Sequence, residues 1–339
     1  MMFYLDNWQS AAPAGAQMME PQNPGRMRAR GGLDLRRSRP LVPRRPDSQL
    51  AAAQNRRARG LNENYARELM ELHTLGVDGG YTQKDVQEIA RAFTGWTIDG
   101  PRQGGAFRFE PRMHDDGEKV VLGQRIKAGG GKKDGEQVLD LLANHPSTAR
   151  FIATKLARKF VADVPPPALV ERAAARFRDT RGDIREVVTT IVTSPEFFAA
   201  TAYRAKVKSP FEFVVSAVRV TGTEMAGALP VVQALRELGM PLYGCQPPTG
   251  YADRADAWVN TGALLNRMNF AVALTEGKLR GIRASGATRG IAASDARTTI
   301  IDTALAGDIS DSTRATAAKA TTAQQAVALV LGSPEFQKR

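Results

Sequence analysis

The sequence predicts a mainly α protein, an irregular multi-helix domain built on an αα-hairpin, with a small β-hairpin near residues 106–126. Three observations carry this. Aromatic residues make up only 6% of the 339 residues, and an Ala/Leu-rich composition favours helix. Two apolar stripes recur at helical spacing around a short glycine turn. Helix start signals then follow one another down the chain, including Thr82-x-x-Asp85, Asp183-x-x-Glu186 and Ser209-Pro210.

The elements follow in order. Residues 1–10 form a short apolar segment, and residues 11–59 are rich in Arg, Pro and Gly without periodicity, which marks a disordered linker. Residues 60–339 form the helical domain, with a sub-boundary suggested near 200–225. Asn62 is a credible N-cap and Gly76 a credible stop for a helix from Glu63 to Leu75. Tyr65, Leu69 and Leu72 make its apolar stripe, and His73 on the flank reads as a partly buried, hydrogen-bonded residue. Thr82 and Asp85 form a capping box for a second helix whose face is Val86, Ile89, Ala90 and Phe93. Phe107 and Phe109 alternate with Arg108, and Val120-Val121-Leu122 follows a turn, which suggests the β-hairpin.

Beyond it the chain reads as helix after helix. Asp134 opens one, which stops at His145-Pro146, where the imidazole can meet terminal carbonyls. Ser147 caps the next. Asp183 and Glu186, then Ser209 and Pro210, start two more, and longer helices cover Leu229–Leu238 and Ala255–Glu276. Ser194-Pro-Glu-Phe197 recurs as Ser333-Pro-Glu-Phe336. Two copies are too few for a solenoid, and a repeated helix-junction chemistry accounts for them.

Composition excludes several classes. No apolar run approaches the roughly eighteen residues of a transmembrane helix, and the opening lacks the basic and apolar regions of a signal peptide. One cysteine, Cys245, permits neither an internal disulfide nor a cysteine-based zinc site. The net charge of +12 is local: Arg26 to Gly60 holds eleven arginines against Asp34 and Asp47, leaving only +3 elsewhere. Nucleic-acid binding through residues 26–59 is the weaker reading, because no aromatic side chains interleave the arginines.

Gly129-Gly130-Gly131-Lys132 fails the phosphate-loop template, an EF-hand at Asp78 fails at its twelfth position, and no H-E-x-x-H or G-x-S-x-G pattern occurs. The catalytic and metal candidates are therefore Glu68, Glu71, His114 and Asp115, a carboxylate and imidazole set that suits a divalent metal cofactor or acid–base work. Glu68 and His73 lie about 140° apart around one helix and cannot share a metal. Glu68 and Glu71 can share a face, with Asn64 beside them. Asn64, Arg67, Trp96 and Trp258 are the candidate binding residues.

The run Asn62–Val77, with Gly79-Gly80-Tyr81-Thr82, Asp85-Val86 and Thr94-Gly95-Trp96, resembles the bacterial family catalogued as domain of unknown function 1800. His114-Asp115 with Lys119 and Leu122-Gly123 is similar to its pattern. So are His145-Pro146 with Thr148-Ala149, Lys206–Pro210, Pro247-Pro248 with Gly250-Tyr251, Trp258, and the Phe3–Asn7 opening. The family usually begins with a further helical stretch after an export signal, both missing here, so a fragment or shortened product is expected. The resemblance implies a periplasmic or extracellular location, although a chain without a signal peptide leaves the cytoplasm open. It also implies a protein partner from a neighbouring exported family that resembles sulfatases. It carries no catalytic assignment. The expected function is a helical binding or scaffold protein, with a hydrolase-like, metal-dependent enzyme as the alternative.

Overall fold

Asn62 turns the chain into helix α1 (Glu63–Glu71) by accepting a hydrogen bond from the Tyr65 amide at 2.9 Å. The computed structural model describes residues 5–12, 60–99, 105–279, 281 and 290–339. Among them it is mainly helical, with two small two-stranded antiparallel sheets. The arginine-rich stretch 26–59 and most of the linker lie outside the described residues. The chain divides into two compact units, Met1–Phe151 and Ile152–Arg339. That division falls upstream of 200–225, which lies wholly within the second unit.

In the first unit, α1 stops at Glu71 rather than continuing to Leu75. The Thr74 hydroxyl donates to the Leu69 carbonyl at 2.8 Å, and the Gly76 amide reaches the Met70 carbonyl at 3.0 Å. These bonds consume the carbonyls that a longer helix would use, and Gly76 adopts φ +83° to allow the turn. His73 is consequently exposed, not part-buried. The Thr82/Asp85 capping box forms as expected and opens α2 (Gln83–Ala92).

Two sheets replace the single expected hairpin. Strand β1 (Trp96–Ile98) pairs with β2 (Phe107–Phe109), matching Trp96 to Phe109 and Ile98 to Phe107. The hairpin proper joins β3 (Lys119–Val121) to β4 (Gln124–Ile126). Its Leu122-Gly123 turn takes φ +49° and +76°, the signature of a tight primed turn. The Leu122 amide donates to Asp85 Oδ1 at 2.7 Å, which holds that uncommon backbone in place. Phe107 and Phe109 thus pair backwards to Trp96, because the aromatic core lies there.

That core is a chain of edge-to-face rings, Tyr65–Phe93, Phe93–Trp96 and Trp96–Phe107, with centroids 5.3, 5.0 and 5.1 Å apart. Met70, Val86, Ile89, Val138 and Leu142 close around it. The N-terminal segment docks on its edge: Asn7 Nδ2 donates to the carbonyls of Phe93 and Trp96, both at 3.3 Å. Ala11 and Ala12 are buried and donate to the carbonyls of Gly60 and Met113. Both therefore belong to the docked segment rather than to the linker, whose flanking residues Ala11 and Gly60 meet.

Helix α3 (Lys132–Ala143) begins two residues before the expected Asp134, with Gly131 at its N-cap position, and Asp134 is buried instead of capping. Helix α4 (Pro146–Phe160) is capped by His145, whose Nδ1 accepts from the Ser147 amide at 3.1 Å. The imidazole thus starts the later helix rather than closing the earlier one. Pro146 leaves the chain no amide to lose at that first position.

The second unit holds α5 (Pro167–Asp179), α6 (Ile184–Val192), α7 (Pro210–Val220), α8 (Leu229–Glu237) and α9 (Thr261–Thr275). It continues through α10 (Ala293–Leu305), α11 (Asp311–Ala317), α12 (Ala323–Leu331) and the short α13 (Pro334–Gln337). Helix α12 is its axis: Val327, Val330 and Leu331 are fully buried against Phe270, Leu274, Ile300 and Phe213. The expected long helix from Ala255 is interrupted, because Asn260 caps α9 by accepting from the Ala263 amide. Ser209 and Glu212 complete their capping box, whereas Asp183 caps alone and Glu186 pairs with Arg176. Ser194 and Ser333 each accept from the phenylalanine amide three residues on, at 3.2 Å, but only Ser333 opens a helix, whereas the chain after Ser194 stays in turns.

Gly135, inside α3, has the Trp96 indole against it, with ring carbons 2.6 Å from where a Cβ would stand. Alanine ordinarily stabilises a helix interior over glycine by about 1 kcal/mol. Here overpacking reverses the sign, and Gly135→Ala is expected to lose about 1–3 kcal/mol. Urea unfolding followed by tryptophan fluorescence measures it, and a gain in stability would contradict this packing.

Candidate functional site

Thr94, at the end of α2, organises the polar centre of the first unit. Its hydroxyl donates to the Arg91 carbonyl at 2.6 Å and accepts from the Asp115 amide at 2.9 Å. Its carbonyl accepts from His114 Nδ1 at 2.8 Å. A carbonyl can only accept, so this nitrogen carries the proton. Nε2 of the same ring lies 3.2 Å from Asp134 Oδ2, and both side chains are fully buried. Neither ring nitrogen is open to a metal.

Lys119 supplies the positive charge beside Asp134. Its ammonium lies 2.7 Å from Oδ2 and also donates to the carbonyls of Asp115 and Gly117. The cation position at this carboxylate is thus filled by the chain itself. Asp115 is equally committed: its two oxygens clamp Arg91 Nε and Nη2 at 2.9 and 3.0 Å, and Oδ1 also accepts from the Gly117 amide. The bond from Arg91 holds the Asp115 carboxyl below its usual range against the opposing effect of burial. Asp115 in turn raises the affinity of Arg91 for its proton.

Glu68 and Glu71 lie on α1 near Tyr81, whose hydroxyl is pushed upward by burial and then by the charge of Glu71. Glu68 Oε2 is buried and has no hydrogen-bond partner among the described residues. Asn64 is exposed, and Arg67 donates to Gln83 Oε1 at 2.7 Å. No group of three or more His, Cys, Asp or Glu side chains among the described residues is placed to hold a metal ion. The four catalytic and metal candidates are therefore not gathered into one metal centre. Helical spacing relates Glu68 to Glu71, while the neighbours His114 and Asp115 turn inward to different partners.

The two tryptophans also serve packing. Trp96 lies over Gly135 with its Nε1 buried, and Trp258 is buried with its Nε1 donating to the Ala252 carbonyl at 2.8 Å. Asp134 was readable only as a helix starter. The signal for its burial was the glycine after it, since an internal helix glycine marks a close approach.

The second unit carries a different feature. Helices α8 and α9 wall an open groove of about 1020 Å³. Leu229, Pro230, Leu238, Phe270, Ala273 and Leu279 form its apolar surface, with the amides of Gln233, Asn266 and Asn269 along it. One acid and one base, Glu237 and Lys278, line it as well, so it has no net charge. Leu229, at the edge of the groove, is 82% exposed, and Leu264, Leu265 and Val272 are exposed elsewhere on α9, with Leu265 at 59%. An apolar helix with an uncovered side is the unusual observation. The apolar run Phe270–Leu274 of α9 was its sequence signal.

A family model described as a protein of unknown function, DUF1800, matches residues 1–338. The chain belongs to this family. No curated protein and no solved structure matches it. No helix among the described residues is long and apolar enough to cross a membrane.

Removing one member of the Lys119–Asp134 pair leaves a buried charge without its partner. Asp134→Asn is expected to cost about 3–5 kcal/mol, and adding Lys119→Met should recover part of that loss. Urea unfolding of the two single variants and the double variant measures the coupling. Strictly additive losses would contradict a direct pair.

Proposed function

We propose that the protein is a helical binding or scaffold protein acting outside the cytoplasm, and that the α8–α9 groove receives an uncharged, apolar helical stretch of a partner protein. The supporting observation is the open apolar groove itself, with Leu229 82% exposed at its edge and Leu265 and Val272 exposed on the adjoining side of α9. Small-ligand sites bury most of the ligand's surface, whereas this groove is open along its length. Its amide rim and balanced Glu237 and Lys278 suit a neutral occupant, as in helix-in-groove recognition. The first partner to test is the protein of the neighbouring exported family that the resemblance implies.

The hydrolase reading has less support. Glu68 and Glu71 remain on a common face, but Asp115 is engaged by Arg91 and His114 is buried. A readout for partner binding is calorimetric titration of the purified pair. Leu229→Asp and Leu265→Asp are each expected to weaken binding by about tenfold or more while leaving thermal unfolding unchanged, because exposed side chains add little to the core. Equal affinity in both variants would remove the groove from the reading.

A further inference from the structure

A second, smaller pocket of about 400 Å³ lies between α7 and α10, away from the residues of the apolar groove. Its floor is Val215, Val220, Ala304 and Phe336, and its polar lining is Lys208, Ser216, Arg219 and Thr303. Two cations and no carboxylate line it. Among the described residues, neither Lys208 nor Arg219 has a carboxylate within ion-pair distance. The Lys208 ammonium sits 3.8 Å from the centre of the Phe336 ring. Such a contact stabilises a cation but does not neutralise it.

The surroundings add to the excess positive charge. Arg267, buried on α9, donates to Gln337 Oε1 at 2.7 Å and to the Lys208 carbonyl at 2.8 Å, again with no carboxylate. Arg204 is paired with Asp308. Glu212 is the nearest acid on α7, but it serves the Ser209 capping box and faces Lys159 and Arg339. Burial first, and then Arg204 and Arg267, push Lys208 down to about 8, with Glu212 opposing. An anion placed in the pocket would relieve that strain.

Of the hydroxyls, Thr303 spends its proton on the Thr299 carbonyl at 2.7 Å. Ser216 makes no hydrogen bond among the described residues and can donate. Three donor groups, an ammonium, a guanidinium and a hydroxyl, thus border a space with an apolar floor. We propose that this pocket binds a phosphate group, with Lys208 and Arg219 as its charge partners, Ser216 as a further donor, and the floor beneath whatever carries the phosphate. A guanidinium and an ammonium are the usual pair for this chemistry. The site is independent of the groove assigned to a protein partner.

The test is calorimetric titration of the full chain with inorganic phosphate at neutral pH and low salt. One site is expected, weakened about tenfold or more by Lys208→Met and by Arg219→Gln. Arg236→Gln, exposed on α8 and outside the pocket, should bind as the parent does. Arg219 is exposed, so its variant keeps the fold, and an unchanged unfolding temperature verifies that. Lys208 is charged below about 8, so affinity should fall as pH rises through that value. Binding near that pH should also take up protons, seen as a heat that varies with the buffer. Co-sedimentation with phosphatidylcholine vesicles containing phosphatidic acid, lost in Lys208→Met, would assign a lipid headgroup. Binding of free phosphate without co-sedimentation would assign a soluble ligand. Phosphate binding that neither substitution weakens, no phosphate binding at all, or binding of benzoate alone would overturn the proposal.

Discussion

The buried pair of Lys119 and Asp134 is the constraint on which the first unit depends. Taking both charges out of water costs several kcal/mol per ion before any gain. The cost is offset by the partners that surround the Lys119 ammonium and Asp134 Oδ2. Lys119 meets Asp134 and two backbone carbonyls, and Asp134 Oδ2 meets both Lys119 and His114. Those carbonyls belong to the 115–117 turn, which Arg91 holds from α2 and Thr94 from the helix end. One pair therefore ties α2, the turn, β3 and α3 together. Asp134 Oδ1 stays buried without a partner among the described residues, which makes the arrangement less than fully satisfied.

The two units handle charge in opposite ways. In the first, the buried Lys119 and the half-buried Arg91 are matched by carboxylates, Asp134 and Asp115. In the second, Lys206 follows that rule by meeting Asp163 and Asp253, but Arg267 and Lys208 do not. Their charge rests on aromatic rings, an amide and a carbonyl. Burial lowers Arg267 to about 10, with the charge of Glu212 opposing it. Structure alone needs no such excess, since a buried guanidinium is costly. The apolar helix α9 and the unmatched cations are the two places where this unit departs from simple folding rules, and such departures are where function is sought.

Local signals were read well where a side chain acts within three or four residues. The Asn62 cap, the Thr82/Asp85 and Ser209/Glu212 boxes and the Ser333 helix start needed no tertiary information. Readings failed where a more distant partner decided. The periodicity that carried α1 to Leu75 could not register the Thr74 hydroxyl turning back on Leu69. His145 looked like a helix end because proline follows it, yet its ring accepts from the next helix. The hairpin was placed in the right stretch, but Phe107 and Phe109 pair with Trp96 and Ile98, a choice made by the aromatic core.

The sequence by itself determined the class of the protein: mainly helical, with its helix starts, its glycine turns and its family visible in the order of residues. Only the tertiary structure decided what the polar residues are for. His114 and Asp115 are adjacent in the chain, and spacing made them one candidate ligand pair. Folding sends one inward to Asp134 and the other to Arg91. Capping and helical periodicity are local, so the order of residues encodes them directly. Burial and charge pairing depend on which distant segments meet, and a carboxylate cannot announce its partner before the chain has folded.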